Sequence, residues 1–127
     1  MQRYTILVVE DEPHIMKLVR GILSREKSYD VRCATSADSG LKLGTALPGP
    51  IHLLIANAML NGTPGGALAA KLKAVRPEMK AILLNGKDAG KIEMLDHGWQ
   101  LIEKRFISEE LLVRVRMELR GAGAGAG

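Results

Sequence analysis

The chain has 127 residues, 46% of them hydrophobic and 25% charged, with a formal net charge of +4; this is the make-up of one globular domain large enough to bury its own core. One cysteine, Cys33, and three scattered histidines, His14, His52 and His97, exclude a disulfide-stapled secreted scaffold and a zinc module. No apolar run approaches the ~18 to 20 residues of a membrane span, and residues 1–10 lack the build of a signal peptide, so a cytoplasmic setting is expected.

Residues 5–9, Thr-Ile-Leu-Val-Val, form a continuous run rich in β-branched side chains, the pattern of a strand buried on both faces. Glu10, Asp11 and Glu12 follow. Pro13 then stands where the first turn of a helix tolerates it, and Ile15, Leu18, Val19, Ile22 and Leu23 recur at helical spacing. Residues 30–34 predict a second strand and 36–47 a helix with Ser36 as N-cap, broken by Pro48-Gly49-Pro50. A third strand is predicted over 51–56. Asn61-Gly62-Thr63-Pro64-Gly65-Gly66 makes a long turn before a helix carrying Leu68, Leu72 and Val75, which Pro77 closes. Residues 81–84 predict a fourth strand, 87–97 a helix with Ile92 and Leu95 facing inward, and Leu101-Ile102 a short fifth strand. Ile107, Leu111, Leu112, Val115 and Leu119 mark a terminal helix. Residues 121–127, a Gly-Ala repeat, read as a tail or linker after a domain of residues 1–120.

Strict alternation of strands and helices implies a parallel sheet covered on both faces, with any ligand outside the carboxyl ends of the strands. The residues expected there are Glu10, Asp11, Asn57, Asn85 and Lys104. Adjacent carboxylates with an oxygen ligand one strand away and an ammonium opposite suit magnesium and a phosphoryl group, although a solvated acidic turn has the same composition. The basic excess permits nucleic-acid contact. The Lys and Arg residues are nevertheless scattered as on solvated helix faces, and 3% aromatic residues are too few for base stacking, so neither nucleic acid nor membrane is an expected partner.

Ile-Leu-Val-Val-Glu-Asp-Glu-Pro-His-Ile at 6–15 resembles the opening of response-regulator receiver domains of two-component signalling. His52-Leu-Leu-Ile-Ala-Asn57-Ala-Met-Leu-Asn-Gly62 resembles the receiver segment ending strand three, and Lys104-Arg105-Phe106 resembles the family's Lys-Pro-Phe signature. The resemblance covers about residues 4–120. It implies an α/β, flavodoxin-like (βα)5 receiver fold, with a five-stranded parallel sheet in order 2-1-3-4-5. It also implies a histidine kinase that phosphorylates an aspartate after strand three, magnesium held by the acidic pair, and a Ser or Thr and a switch aromatic that respond to the phosphoryl group. By that likeness Glu10 and Asp11 match the acidic pair, the Met59 carbonyl the backbone metal ligand, and Lys104 the phosphate-contacting lysine.

Four positions depart from the family pattern. The acceptor position is Asn57, the Ser/Thr position Asn85, the switch aromatic Leu101, and the proline after the lysine Arg105. A carboxamide is a poor nucleophile without negative charge, and with two carboxylates in place of three the pocket is expected to bind Mg2+ only weakly. The expected function is that of a degenerate receiver, not an enzyme, working through protein–protein contact without aspartyl phosphorylation. The implied partner is a histidine kinase or another signalling protein, and homodimerisation is a family habit. Two alternatives stay open. One is a phosphorelay receiver that uses Glu10 or Asp11, or whose Asn57 replaces an aspartate through engineering. The other is a nucleotide-binding α/β enzyme, against which the acidic turn after strand one counts, since a phosphate would meet carboxylates there instead of a glycine-rich cradle.

Lys104 is expected to form a salt bridge with Asp11. Trp99 reads equally as a filler beneath the 87–97 helix and as a partner contact on the face built by helix four, strand five and helix five. His14 and His52 are expected to be ordinary, Cys33 to lie in the core, and Asn61-Gly62 and Asn85-Gly86 to serve turns.

Overall fold

The computed structural model describes residues 3–86 and 99–124. In chain order the elements are β1 (Tyr4–Val9), α1 (Pro13–Leu23), β2 (Tyr29–Ala34), α2 (Ala37–Ala46), β3 (Leu53–Asn57), β4 (Met59–Leu60), β5 (Thr63–Pro64), α3 (Gly65–Val75), β6 (Lys80–Asn85), β7 (Gln100–Glu103) and α4 (Ile107–Ala124), with a 3-10 turn at Lys104–Phe106. Five strands form one parallel sheet in the order β2-β1-β3-β6-β7, which is 2-1-3-4-5 when only its own strands are counted. The helix predicted over 87–97 lies outside the described residues.

Alternation along the strands divides the core in two. Ile6 and Val8 of β1, Leu53 and Ile55 of β3 and Ile82 and Leu84 of β6 join α1 and α4 on one face. Leu7, Val9, Leu54, Ala56 and Leu83 join Leu68 and Leu72 of α3 on the other. Each such aliphatic side chain contributes roughly 1.5 to 3 kcal/mol on burial, so the apolar run of β1, buried from Ile6 to Val9, anchors both layers. Helix α2 approaches closely because its inward residues are Gly40 and Gly44. A Cβ at Gly40 would lie 2.8 Å from Val9 Cγ2, and one at Gly44 would lie 2.6 Å from Leu72 Cδ2.

The helix termini follow local chemistry. Pro13 opens α1. Ser36 caps α2 through a reciprocal pair, its Oγ accepting from Ser39 N–H at 3.0 Å and its own N–H donating to Ser39 Oγ at 3.1 Å. No basic residue occupies the last turn of α2. Arg76, just past α3, supplies the positive charge, donating to the carbonyl oxygens of Gly44 at 2.7 Å, Leu47 at 2.6 Å and Gly49 at 2.5 Å.

Several details differ from the sequence expectations. In α1 the inward position is Met16, while Leu18 is 37% exposed. Val75, the last residue of α3, points outward at 61% exposure. A two-stranded antiparallel ribbon, β4 with β5, occupies what was expected to be a plain turn, with Asn61 (φ 45°) and Gly62 (φ 86°) at its tip. Helix α4 continues through Ala124, four residues into the Gly-Ala segment assigned to a tail. Cys33 is half-buried against the α1 and α4 core, which pushes its thiol pKa up and makes it a weak nucleophile. His14 is exposed. His52 is more than ordinary. It extends the β1–β3 ladder downward, its N–H donating to Thr5 O and its Nδ1 accepting from Thr5 N–H, both at 2.9 Å.

Candidate functional site

Because β1 and β3 are neighbours in register, with Val9 opposite Ala56, their next residues Glu10 and Asn57 meet at the carboxyl end of the sheet. Both are buried, Glu10 at 1% and Asn57 at 5% exposure. A buried carboxylate is tolerated only where donors surround it. Glu10 Oε2 accepts the Glu12 backbone N–H at 3.0 Å and the Asn57 side-chain amide at 2.9 Å, while Oε1 lies 3.5 Å from Lys104 Nζ.

Asn57 Nδ2 also donates to Asp11 Oδ1 at 2.8 Å, so one amide group bridges the two carboxylates, and Asn57 Oδ1 accepts the Met59 N–H at 3.2 Å. Chemistry dictates this orientation of the amide: ionised carboxylates have no proton to give, so only the NH2 end can face both. Burial pushes the Glu10 carboxyl above its ordinary 4.5, although the Glu12 N–H and the Lys104 ammonium pull it down. Burial also raises Asp11, but the Asn57 amide and backbone N–H groups, including that of Asn61, outweigh it and hold the carboxyl below 3.8.

Lys104 lies two strands from β3, and its side chain crosses the end of β6 to reach the acidic turn. The expected bridge to Asp11 is not what forms. Lys104 Nζ donates to Glu12 Oε1 at 2.9 Å and pairs with Glu10, while Asp11 is engaged by Asn57. The reason is backbone direction. The chain bends at Asp11 and leaves Glu12 extended (φ −94°, ψ 114°), and in this turn Glu10 and Glu12 face Lys104 while Asp11 faces Asn57. Glu12 is the site residue that the sequence expectations missed, and its place in the same acidic turn as Glu10 was the signal.

Of the remaining candidates, Asn85 ends β6 with its Oδ1 buried and without a hydrogen-bond partner. Leu101 is half-buried against the α2 and α3 side of the core. Trp99 is 6% exposed in the same cluster. Arg105 pairs with Glu103 at 2.7 Å and stacks 4.8 Å above the Phe106 ring. Glu12, Asn85, Glu103, Lys104 and Arg105 line a hollow beside the acidic turn.

These residues do not fit a divalent cation as they stand. Glu10, Asp11 and the Met59 carbonyl would be the oxygen donors, but the Asn57 NH2 lies between the two carboxylates as a donor to both. Among the described residues no group of three or more His, Cys, Asp or Glu is placed to hold a metal.

The 2-1-3-4-5 parallel sheet thus gathers an acidic pair, a polar residue ending the third strand and a lysine after the fifth at one strand-end pocket. A family model for the response regulator receiver domain matches residues 6–116, and the chain belongs to that family. It is 32% identical over 92% of its length to the transcriptional regulatory protein CssR of Bacillus subtilis, covering 52% of that protein. It is 30% identical over 96% of its length to the probable transcriptional regulatory protein TcrX of Mycobacterium tuberculosis, again covering 52%. The chain thus spans about half the length of the curated relatives it matches.

Among solved structures, a response regulator receiver domain protein from Clostridium thermocellum superposes with a TM-score of 0.81 at 22% identity, over 92% of this chain and 94% of that one. The response regulator TrrA of Thermotoga maritima, solved in complex with Mg2+-BeF, gives 0.77 at 26% identity, over 91% and 98%. The chain is therefore a response regulator receiver domain of a two-component system. None of its described helices is long and apolar enough to cross a membrane.

Proposed function

We propose that this receiver domain works without aspartyl phosphorylation, as a protein-interaction module whose working surface is fixed by its own side chains. The observation that carries this reading is the side chain at the acceptor position. Asn57 offers no carboxylate oxygen to attack phosphorus, and its amide is already committed to Glu10, Asp11 and Met59 N–H. A phosphoryl group arriving there would find no acyl acceptor, no hydroxyl at Asn85 and no aromatic at Leu101 to rearrange. Lys104, held by Glu12 and Glu10, ties the turn after β1 to the turn after β7. The loops around the pocket are thus joined in one arrangement without a phosphate between them. The partner fitting such a domain is a histidine kinase or another signalling protein.

The test is intact mass after incubation with Mg2+ and a small phosphodonor, run beside an Asn57→Asp variant. The wild type stays unmodified and the variant gains about 80 Da, one phosphoryl group. A wild type that gains this mass sinks the reading, and mapping then identifies whether Glu10 or Asp11 took the phosphate.

A further inference from the structure

We infer that the Asn57 carboxamide takes the place of a divalent cation in this pocket, so that the carboxylates of Glu10 and Asp11 are held together without metal and a metal is kept out. The inference rests on residue 57 not being a phosphoacceptor, and it goes beyond the loss of one ligand charge. Two ionised carboxylates converging on one point repel unless a shared proton, an N–H group or a cation lies between them. An amide NH2 carries two protons with partial positive charge, and here each carboxylate receives a bond from it, at 2.9 Å to Glu10 and 2.8 Å to Asp11. Lys104 supplies full positive charge on the far side of Glu10.

A cation entering between the carboxylates has to expel that NH2. Turning the amide over would aim Oδ1 at two anions and would oppose the NH2 to the Met59 N–H, losing the hydrogen bonds on both ends. Magnesium, which dehydrates reluctantly and demands near-octahedral oxygen donors, gains too little from two carboxylates to drive this. Counting ligands makes the opposite statement about one variant. By count, Asn57→Ala has the same two carboxylates as the wild type and one potential oxygen ligand fewer, so it binds no better. If the amide is a cation substitute, Asn57→Ala removes the competitor and binds Mg2+ more tightly than the wild type.

The experiment is thermal melting in millimolar Mg2+ against EDTA, with calorimetric Mg2+ titration, on the wild type, Asn57→Ala and Asn57→Asp. The wild-type Tm is the same in both buffers. Both variants melt lower in EDTA and rise with Mg2+, because a ligand bound only by the folded state stabilises it, and Asn57→Ala binds at least about tenfold more tightly than the wild type, the amide having been the obstacle. A wild type that binds as tightly as Asn57→Ala overturns the inference. Should the alanine variant not fold in either buffer, the wild-type Asn57 side-chain NH2 resonances decide: they stay put during Mg2+ titration, and a saturable shift overturns the inference. A wild type that binds Mg2+ as tightly as Asn57→Ala yet gains no phosphoryl mass removes this inference and leaves the proposed function standing.

Discussion

Gly65→Ala sets helix propensity against packing at a single atom. Gly65 opens α3, where alanine is the better helix former by about 1 kcal/mol. A Cβ at this position would lie 2.1 Å from the Asn57 carbonyl oxygen, 3.1 Å from its carbon and 3.3 Å from Ala58 Cα. A methyl carbon and an oxygen come no closer than about 3 Å, so α3 or the end of β3 has to yield by about 1 Å. Neither is a loose side chain. Gly65 N–H is bonded to Ala58 O at 2.8 Å, and Ala58 N–H to Leu84 O at 2.7 Å, which pins the same short segment to β6. Overpacking costs typically 1 to 3 kcal/mol, and set against the propensity gain this leaves a net loss of up to about 2 kcal/mol. At roughly 4 °C per kcal/mol for a domain of this size, Tm falls by up to about 8 °C.

The control is Gly21→Ala in α1, where an added Cβ meets nothing within 4 Å. That change stabilises by about 0.5 to 1 kcal/mol. Urea unfolding followed by circular dichroism measures both. Gly65→Ala at or above wild-type stability, alongside a stabilised Gly21→Ala, would refute the packing account. Since the displaced atom is the Asn57 carbonyl, the variant should also shift the Asn57 side-chain amide resonances.

Two further predictions concern charge. Lys104 is 12% exposed and Glu10 fully buried in their side chains, so Lys104→Met leaves a buried carboxylate without its cation and costs about 3 kcal/mol at neutral pH. Glu10 has a folded pKa raised above 4.5, so its contribution is present below 4.5 and is lost as pH rises through the folded value. Removing Lys104 raises that value further. The penalty therefore shrinks as the pH falls toward 4.5, and urea midpoints at neutral and acid pH that show a constant or growing penalty count against it. His52 behaves in the opposite sense. Burial holds its pKa below 6.5 while its Nδ1 accepts the Thr5 N–H, so it contributes stability above 6.5 that is lost as pH falls through the folded value. His52→Asn keeps a side-chain acceptor there without a titrating ring, and its urea midpoint falls less than the wild type's below 6.5; parallel curves for the two proteins would sink this assignment.

The fold was legible because its strongest signals are long-range repetitions of simple patterns. The buried run of β1, the capping residue Ser36 and the 107, 111, 115, 119 stripe of α4 each state one element and its inward face. The β4–β5 ribbon was not legible: with two residues in each strand no alternation can develop, and Asn61-Gly62 signals a turn without saying what it joins. At the site, Glu10, Asn57 and Lys104 come together at the strand ends where the sequence put them, yet the pairing expected for Lys104 is not the one that forms. Asp11 and Glu12 both lay within reach of Lys104 by sequence. The bend of the chain at Asp11 settles which one receives it, and Asn57 then takes the other. Whether Asn57 is an impoverished ligand or a donor is likewise a matter of which end of the amide faces the carboxylates, which depends on Met59 N–H standing behind it.

Arg76 has a consequence for motion. Its guanidinium is bonded at once to the end of α2 and to the turn that follows, although it belongs to the end of α3. Helix ends ordinarily fray independently, each with a small opening free energy of its own. Here α2 cannot unwind from its C-terminal end without freeing the guanidinium, and α3 cannot loosen its last turn without exposing three α2-side carbonyls. The amides at the two helix ends should therefore exchange with solvent as one unit, on the same timescale and with the same response to denaturant. That slow, shared opening joins residues about thirty positions apart along the chain.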